Sequence, residues 1–176
     1  SHYAPLSVDV VVGNSGIKHY SMASFDSGLG TITHEMLHML GTVDLYDVHS
    51  AAPSGDWNGV GDWDIMASGN WNNNGRTPAL PTSATLDMIG ANSPLSLSIG
   101  HSGPENQTFV VTPHVATSGS IRIEIAPNEY IWMESRVNAG FDRYLPGYGL
   151  LVTQQNLNVG DIEHNEVNHD SDYAWL

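Results

Sequence analysis

The 176 residues include no cysteine, and that absence alone excludes disulfide frameworks, cysteine-ligated zinc and thiol nucleophiles. Basic residues are nearly as scarce, with five Lys and Arg against 19 Asp and Glu and a formal net charge of −14. A surface so poor in cations gives nucleic acid and anionic membrane little to bind, so neither is expected as a partner. It suits a soluble protein in a salty or calcium-containing medium, although solubility alone accounts for the same excess. No apolar run approaches the roughly 20 residues that a membrane-spanning helix needs, so no membrane insertion is expected. No signal peptide opens the chain. Ser1-His2-Tyr3-Ala4-Pro5 reads as an internal or processed start and Asp172-Tyr173-Ala174-Trp175-Leu176 as a strand cut short, so a longer polypeptide is expected.

What is present suffices for a core. Hydrophobic residues make up 40% of the chain, with five Trp and seven Tyr, enough for one domain or two small lobes. Val8–Val12 reads as a strand closed at Gly13-Asn14. A helix is expected from Ser27 to Leu40, capped by Asp26 or Ser27 and stopped by Gly41. Its apolar positions Ile32, Met36, Leu37, Met39 and Leu40 predict that much of its circumference is buried. Residues 42–80 are rich in Gly, Asn, Asp and Trp, and a loop this long is usually functional or organised by metal. A second helix is expected over Pro81–Ile89. Strands are expected at Thr108–Thr112, Ser120–Ile125, Tyr130–Val137 and Gly149–Thr153, with turns at Pro127-Asn128 and Pro146-Gly147. The reading is an α+β chain with a site-bearing portion over 1–92 and a β-rich, antiparallel region over 93–176.

His34-Glu35-Met36-Leu37-His38 carries the chemistry. Two histidines four apart on a helix project from one face, where a single zinc ion accepts both imidazoles. Glu35 beside the first of them reaches water at the metal without occupying the metal. Gly41 and Asp44 extend the pattern to H-E-x-x-H-x-x-G-x-x-D, in which glycine ends the helix and returns Asp44 toward the histidines as third ligand. Such a site predicts hydrolysis, with Glu35 taking a proton from water and passing it to the leaving group.

The pattern is that of the zincins, and its glycine extension resembles the metzincin clan, with Asp44 at a position where that clan usually has His. Met66, in Asp64-Ile65-Met66-Ala67-Ser68-Gly69, suits the clan's Met-containing turn. A closer resemblance rests on His34–Asp47, on Gly61–Trp71, and on Glu129–Arg136 and Phe141–Leu151. These segments resemble the immune inhibitor A type of secreted bacterial metallopeptidase, over roughly residues 20–175. The resemblance implies a secreted zinc endopeptidase acting on protein or peptide substrates, often calcium-stabilised and made within a larger precursor whose other parts are further partners. It implies His34, His38 and Asp44 as zinc ligands, Glu35 as catalytic base and Met66 as the Met-turn residue. Gln154 and Asn156 stand where that family often shows His and Asp.

Other polar clusters carry weaker readings. Asp47, Asp56, Asn58, Asp62 and Asp64 crowd the glycine-rich loop; a calcium site led by Asp47 and Asp56 and a solvated acidic loop are equal readings. His2, His19, His49, His101, His114, His164 and His169 lack paired spacing and read as surface or hydrogen-bonded residues. Trp57, Trp63 and Trp71 read as anchors of the loop or as pocket walls. Glu134 and Arg136 share a strand face and read as a structural ion pair. Two alternatives to a peptidase stay open: a non-catalytic zinc-binding fragment or interaction domain, and a zinc hydrolase of non-peptide substrates.

Overall fold

Chain reversals at glycine and proline divide this sequence into short elements, and the longest helix lies where the His-Glu pattern stands. The structure is a computed structural model that describes residues 10–12, 15–17, 23–24, 26–48, 59–98, 108–114, 119–169 and 172–173; for 10–12, 15–17, 169 and 172–173 only the backbone is described. Strands β1 (Val10–Val12) and β2 (Ser15–Ile17) form an antiparallel pair. Helix α1 spans Leu29–His38, shorter than expected at both ends. Its N-cap is Gly28, with no side-chain cap bond, so neither Asp26 nor Ser27 plays that part. The Gly30 N–H donates instead to the Gly75 carbonyl at 2.8 Å, which satisfies one of the helix's orphan donors from the loop. Gly41 closes the helix at φ +105°, a conformation that side chains rarely adopt.

The expectation that much of the circumference of α1 is buried by its apolar residues fails. Gly30 and His34 are buried, whereas Leu29, Ile32, Met36, Met39 and Leu40 are exposed. Gly30 lies against the loop at Asn70 and Gly75, and Leu37 packs on the core. Counting apolar positions does not supply a partner to bury them.

Residues 59–80, within the expected structureless stretch, are organised by two 3-10 turns, Gly61–Trp63 and Ser68–Trp71. Helix α2 spans Ser83–Met88, capped by the Thr82 hydroxyl, which accepts from the Thr85 N–H.

The second half builds a four-stranded sheet in the order β3-β4-β5-β6, with β3 at Leu95–Ser98, β4 at Ser120–Ala126, β5 at Glu129–Arg136 and β6 at Gly149–Asn156. β4, β5 and β6 pair antiparallel as expected, but β3 pairs parallel to β4, so the sheet is mixed. The α+β class stands. The expected strand at Thr108–Thr112 does not form; the chain there makes one bridge, from Pro113 to Ser135. A short antiparallel pair, β7 (Asn168–His169) with β8 (Asp172–Tyr173), ends the described chain.

Val43, Leu45, Val60, Ile65, Met66, Ala67, Ala84, Trp132 and Val167 form the core. It draws on both halves, and charged groups cross between them as well. On β5, Trp132, Glu134 and Arg136 lie on one buried face. The expected ion pair is there: Arg136 Nη1 lies 2.6 Å from Glu134 Oε1. The fully buried guanidinium also lies 2.9 Å from Asp142 and donates to the Trp63 and Leu80 carbonyls. Glu134 and Asp142 in turn accept from the N–H groups of Ser83 and Leu80. A charge this deep persists only when paired and hydrogen-bonded, and here the pairing joins the sheet to the loop and α2.

Candidate metal centre

Helical spacing puts His34 and His38 one turn apart, and the turn at Gly41 brings Asp44 back to them. Their Nε2 atoms are 3.1 Å apart, and Asp44 Oδ1 lies 2.9 Å from the first and 3.3 Å from the second. His34 Nδ1 is 2.8 Å from the Ile65 carbonyl and His38 Nδ1 2.9 Å from that of Thr42. A carbonyl only accepts, so each Nδ1 carries the hydrogen and each neutral ring turns the Nε2 lone pair inward. Asp44 Oδ1 is buried with no hydrogen-bond partner. Three lone pairs therefore converge, which is stable only around a cation or a shared proton. Among the described residues this is the one group of three such side chains placed to hold a metal ion.

The donor set fits zinc. Two imidazole nitrogens and one carboxylate oxygen are ligands zinc takes, and metal–ligand bonds of about 2.0–2.1 Å in a tetrahedron set the ligands roughly 3.3 Å apart. Without an ion, protons feel the same convergence. Burial by itself would raise the Asp44 carboxyl, but the two imidazoles outweigh it and hold the group well below the usual carboxylate range. Burial by itself would lower His38, yet Asp44 outweighs it and its pKa is raised. Burial and the neighbouring Asp44 carboxylate push the phenol of half-buried Tyr46 far up, so it remains protonated.

Glu35, next to His34, is half-buried and has no hydrogen-bond partner among the described residues. Its charge nevertheless acts on His38 and Tyr46, which places it beside the cluster.

Around the ligands runs a ring of supports. Met66 is fully buried; its sulfur accepts from the Thr42 hydroxyl at 3.4 Å and its carbonyl from the Leu45 N–H at 2.9 Å. The turn through Met66 is shaped by Asp64, whose carboxylate accepts from the Met66 N–H, the Thr82 N–H and the Thr85 hydroxyl. Those three donors employ both oxygens, which gives Asp64 a structural role in the turn. Asp62 is exposed, Asp47 is half-buried and has an interaction partner, and Asp56 and Asn58 lie outside the described residues. No described group of acidic residues supports calcium. From the far end of the chain, Asn165 bonds Asp44 twice and Asn168 donates to the Leu45 carbonyl.

The remaining readings divide. Trp63 is half-buried with its ring against Gly147, as an anchor should be, whereas the Trp71 side chain is exposed. His114 is buried and donates to the Pro81 carbonyl. His164 is exposed and pairs with Asp161. His2, His19, His49, His101 and Trp57, and the His169 side chain, lie outside the described residues. Gln154, at a departure from the resembled family, bonds Glu129 across the sheet. Asn165, Ile65, Thr42 and Asp64 went unrecognised as supports because none lies at a diagnostic spacing from the histidines.

Residues 7–88 match the family model of the immune inhibitor A peptidase M6 catalytic domain. The matched segment holds His34, Glu35, His38, Asp44, Met66 and the whole of α2. It ends before β3, so the likeness read in Glu129–Arg136 and Phe141–Leu151 lies outside it. No curated protein and no solved structure matches the chain. The similarity is thus to a peptidase catalytic domain over the site-bearing half. No helix among the described residues is long and apolar enough to cross a membrane.

Proposed function

We propose that the chain is a zinc-dependent endopeptidase that hydrolyses peptide bonds in proteins or peptides, and that it acts outside the cell. The observation that carries the reading is the convergence of His34 Nε2, His38 Nε2 and Asp44 Oδ1 beside Glu35, which has no hydrogen-bond partner among the described residues. The peptidase match over the same residues gives the reaction class. Zinc held by His34, His38 and Asp44 supplies Lewis acidity toward water and the scissile carbonyl. Glu35 takes the proton from water and delivers it to the leaving amine. The Ile65 and Thr42 carbonyls fix the ring orientations, and Met66 packs beside the segment that carries Asp44. A third ligand that is a carboxylate leaves the site less positive than three imidazoles would, so proton transfer rests more heavily on Glu35.

An unengaged glutamate favours catalysis over a purely structural site, which needs no base and usually takes four protein ligands. The test is casein cleavage with and without chelator, alongside zinc binding by Glu35→Gln. Cleavage should stop with chelator and return with zinc, and E35Q should keep zinc while losing about 10²–10⁴-fold in kcat/KM. Tight zinc with no cleavage by the wild-type chain would reject the enzyme reading, and an active E35Q would reject the assigned base.

A further inference from the structure

Asp44 is held from the opposite end of the sequence. Asn165 Oδ1 accepts from the Asp44 N–H at 2.6 Å, and Asn165 Nδ2 donates to Asp44 Oδ2, also at 2.6 Å. The orientation of the amide is fixed by chemistry, since an N–H needs an oxygen and a carboxylate needs a donor. The loop that presents it is tight. Asp161 and Glu166 exchange backbone hydrogen bonds of 2.9 and 2.7 Å, and Val167, with no exposed surface, anchors the strand end in the core. Asn165 itself sits at φ +61°, the left-handed region that asparagine tolerates better than other residues with a side chain.

One of the two bonds holds the Asp44 backbone, and the other distinguishes the two oxygens of its carboxylate. Oδ2 is occupied by Asn165, while Oδ1 is left without a hydrogen bond and faces the two imidazoles. An unrestrained carboxylate can swing to offer a metal both oxygens, which raises the coordination number. We propose that Asn165 is a positioning residue that restricts Asp44 to one ligating oxygen and so keeps the centre four-coordinate. The proposal rests on the metal-centre reading above. It assigns a role at that centre to a residue 121 positions away from its partner and beyond the segment that resembles a peptidase.

Asn165→Gly removes both bonds without straining the backbone, because glycine adopts the same positive φ. Asn165→Asp keeps the acceptor for the Asp44 N–H but has no donor for Oδ2. Zinc affinity is read by competition with a chromophoric chelator, and coordination number by the visible absorption of cobalt(II) bound in place of zinc. The wild-type chain should bind tightly with the intense spectrum of four-coordinate cobalt. N165G should bind zinc about 10–100-fold more weakly, as loss of a ligand's outer partner does elsewhere, and its cobalt spectrum should weaken toward higher coordination. N165D should shift the same way, and it decides alone if N165G does not melt cooperatively. Unchanged zinc affinity and cobalt spectra in the folded variants would overturn the positioning role and leave the metal centre standing. A wild-type chain that binds neither ion would remove the metal centre, and this role with it.

Discussion

His38 and Asp44 titrate in opposite directions, and that gives the metal-free protein a stability window. The Asp44 pKa is lowered from 3.8, so its contribution is present above that value and lost as pH falls through the folded pKa. The His38 pKa is raised from 6.5, so its contribution is full below 6.5 and fades as pH rises through the raised value. Both act together between these limits. The stability difference between wild type and Asp44→Asn, without metal, should therefore be largest at mildly acidic pH and shrink on either side. Thermal melts across pH 3–9 test this, and a difference flat with pH would contradict it. Zinc competes with the proton for the same Nε2 atoms, so its stabilisation should instead grow as pH rises toward neutrality. The residues of this balance were legible because their spacing is local, four on a helix and six around a glycine turn. Asn165 was not, since only folding brings it to Asp44. The role of Asp64 was not legible either, because a carboxylate in an acidic loop looks the same whether it meets a cation or three protein donors.

Two glycines lie at the ends of α1, Gly30 in its first turn and Gly41 just past its last, and the space around each differs. At Gly41 a Cβ would meet nothing within 4 Å, so the cost of Gly41→Ala is conformational, from φ +105°. About 1–2 kcal/mol of lost stability is expected, together with weaker zinc binding because Asp44 follows the turn. At Gly30 a Cβ would lie 1.8 Å from the Asn70 carbonyl oxygen, and backbone on both sides leaves nothing flexible to yield. Gly30→Ala should therefore cost more than Gly41→Ala, roughly 1–3 kcal/mol or above, by pushing α1 off the loop. Urea unfolding of the two variants checks the order, and equal or reversed losses would contradict it. Gly41 was readable as a helix stop, but Gly30 was not, because a close approach leaves no periodicity. The parallel pairing of β3 was hidden for a similar reason: Leu95–Ser98 is four residues long, and its partner β4 starts at Ser120. Alternation fixes a strand and its faces, not the direction of the neighbour it joins.

Hydrogen bonds and core contacts cross the division read from composition, 1–92 against 93–176. Arg136 reaches the Trp63 and Leu80 carbonyls, and Glu134 and Asp142 accept from the backbone of Ser83 and Leu80. Trp132 and Val167 complete the core around Met66 and Leu45, and Asn165 and Asn168 hold the segment that bears Asp44. Sequence could suggest the Glu134–Arg136 pair from its spacing, but not that Asp142 and two loop carbonyls complete it. Removing only the guanidinium, as in Arg136→Met, leaves Glu134 and Asp142 buried without their cation and should cost about 3–5 kcal/mol. Ending the chain at residue 92 removes every one of these supports at once. That piece contains the whole peptidase-like match and all four residues of the proposed chemistry. If the site were a property of the motif alone, it would bind zinc as the full chain does. The packing argues otherwise: without Glu134 on β5 and Asp142 after it the Ser83 and Leu80 N–H groups lose their carboxylates, and without the 161–168 loop Asp44 loses its clamp. The expected result is a 1–92 chain with no cooperative thermal transition and zinc affinity far below that of the 176-residue chain, read by calorimetry and chelator competition. A cooperative melt with full affinity would show instead that residues 93–176 are dispensable to the metal centre.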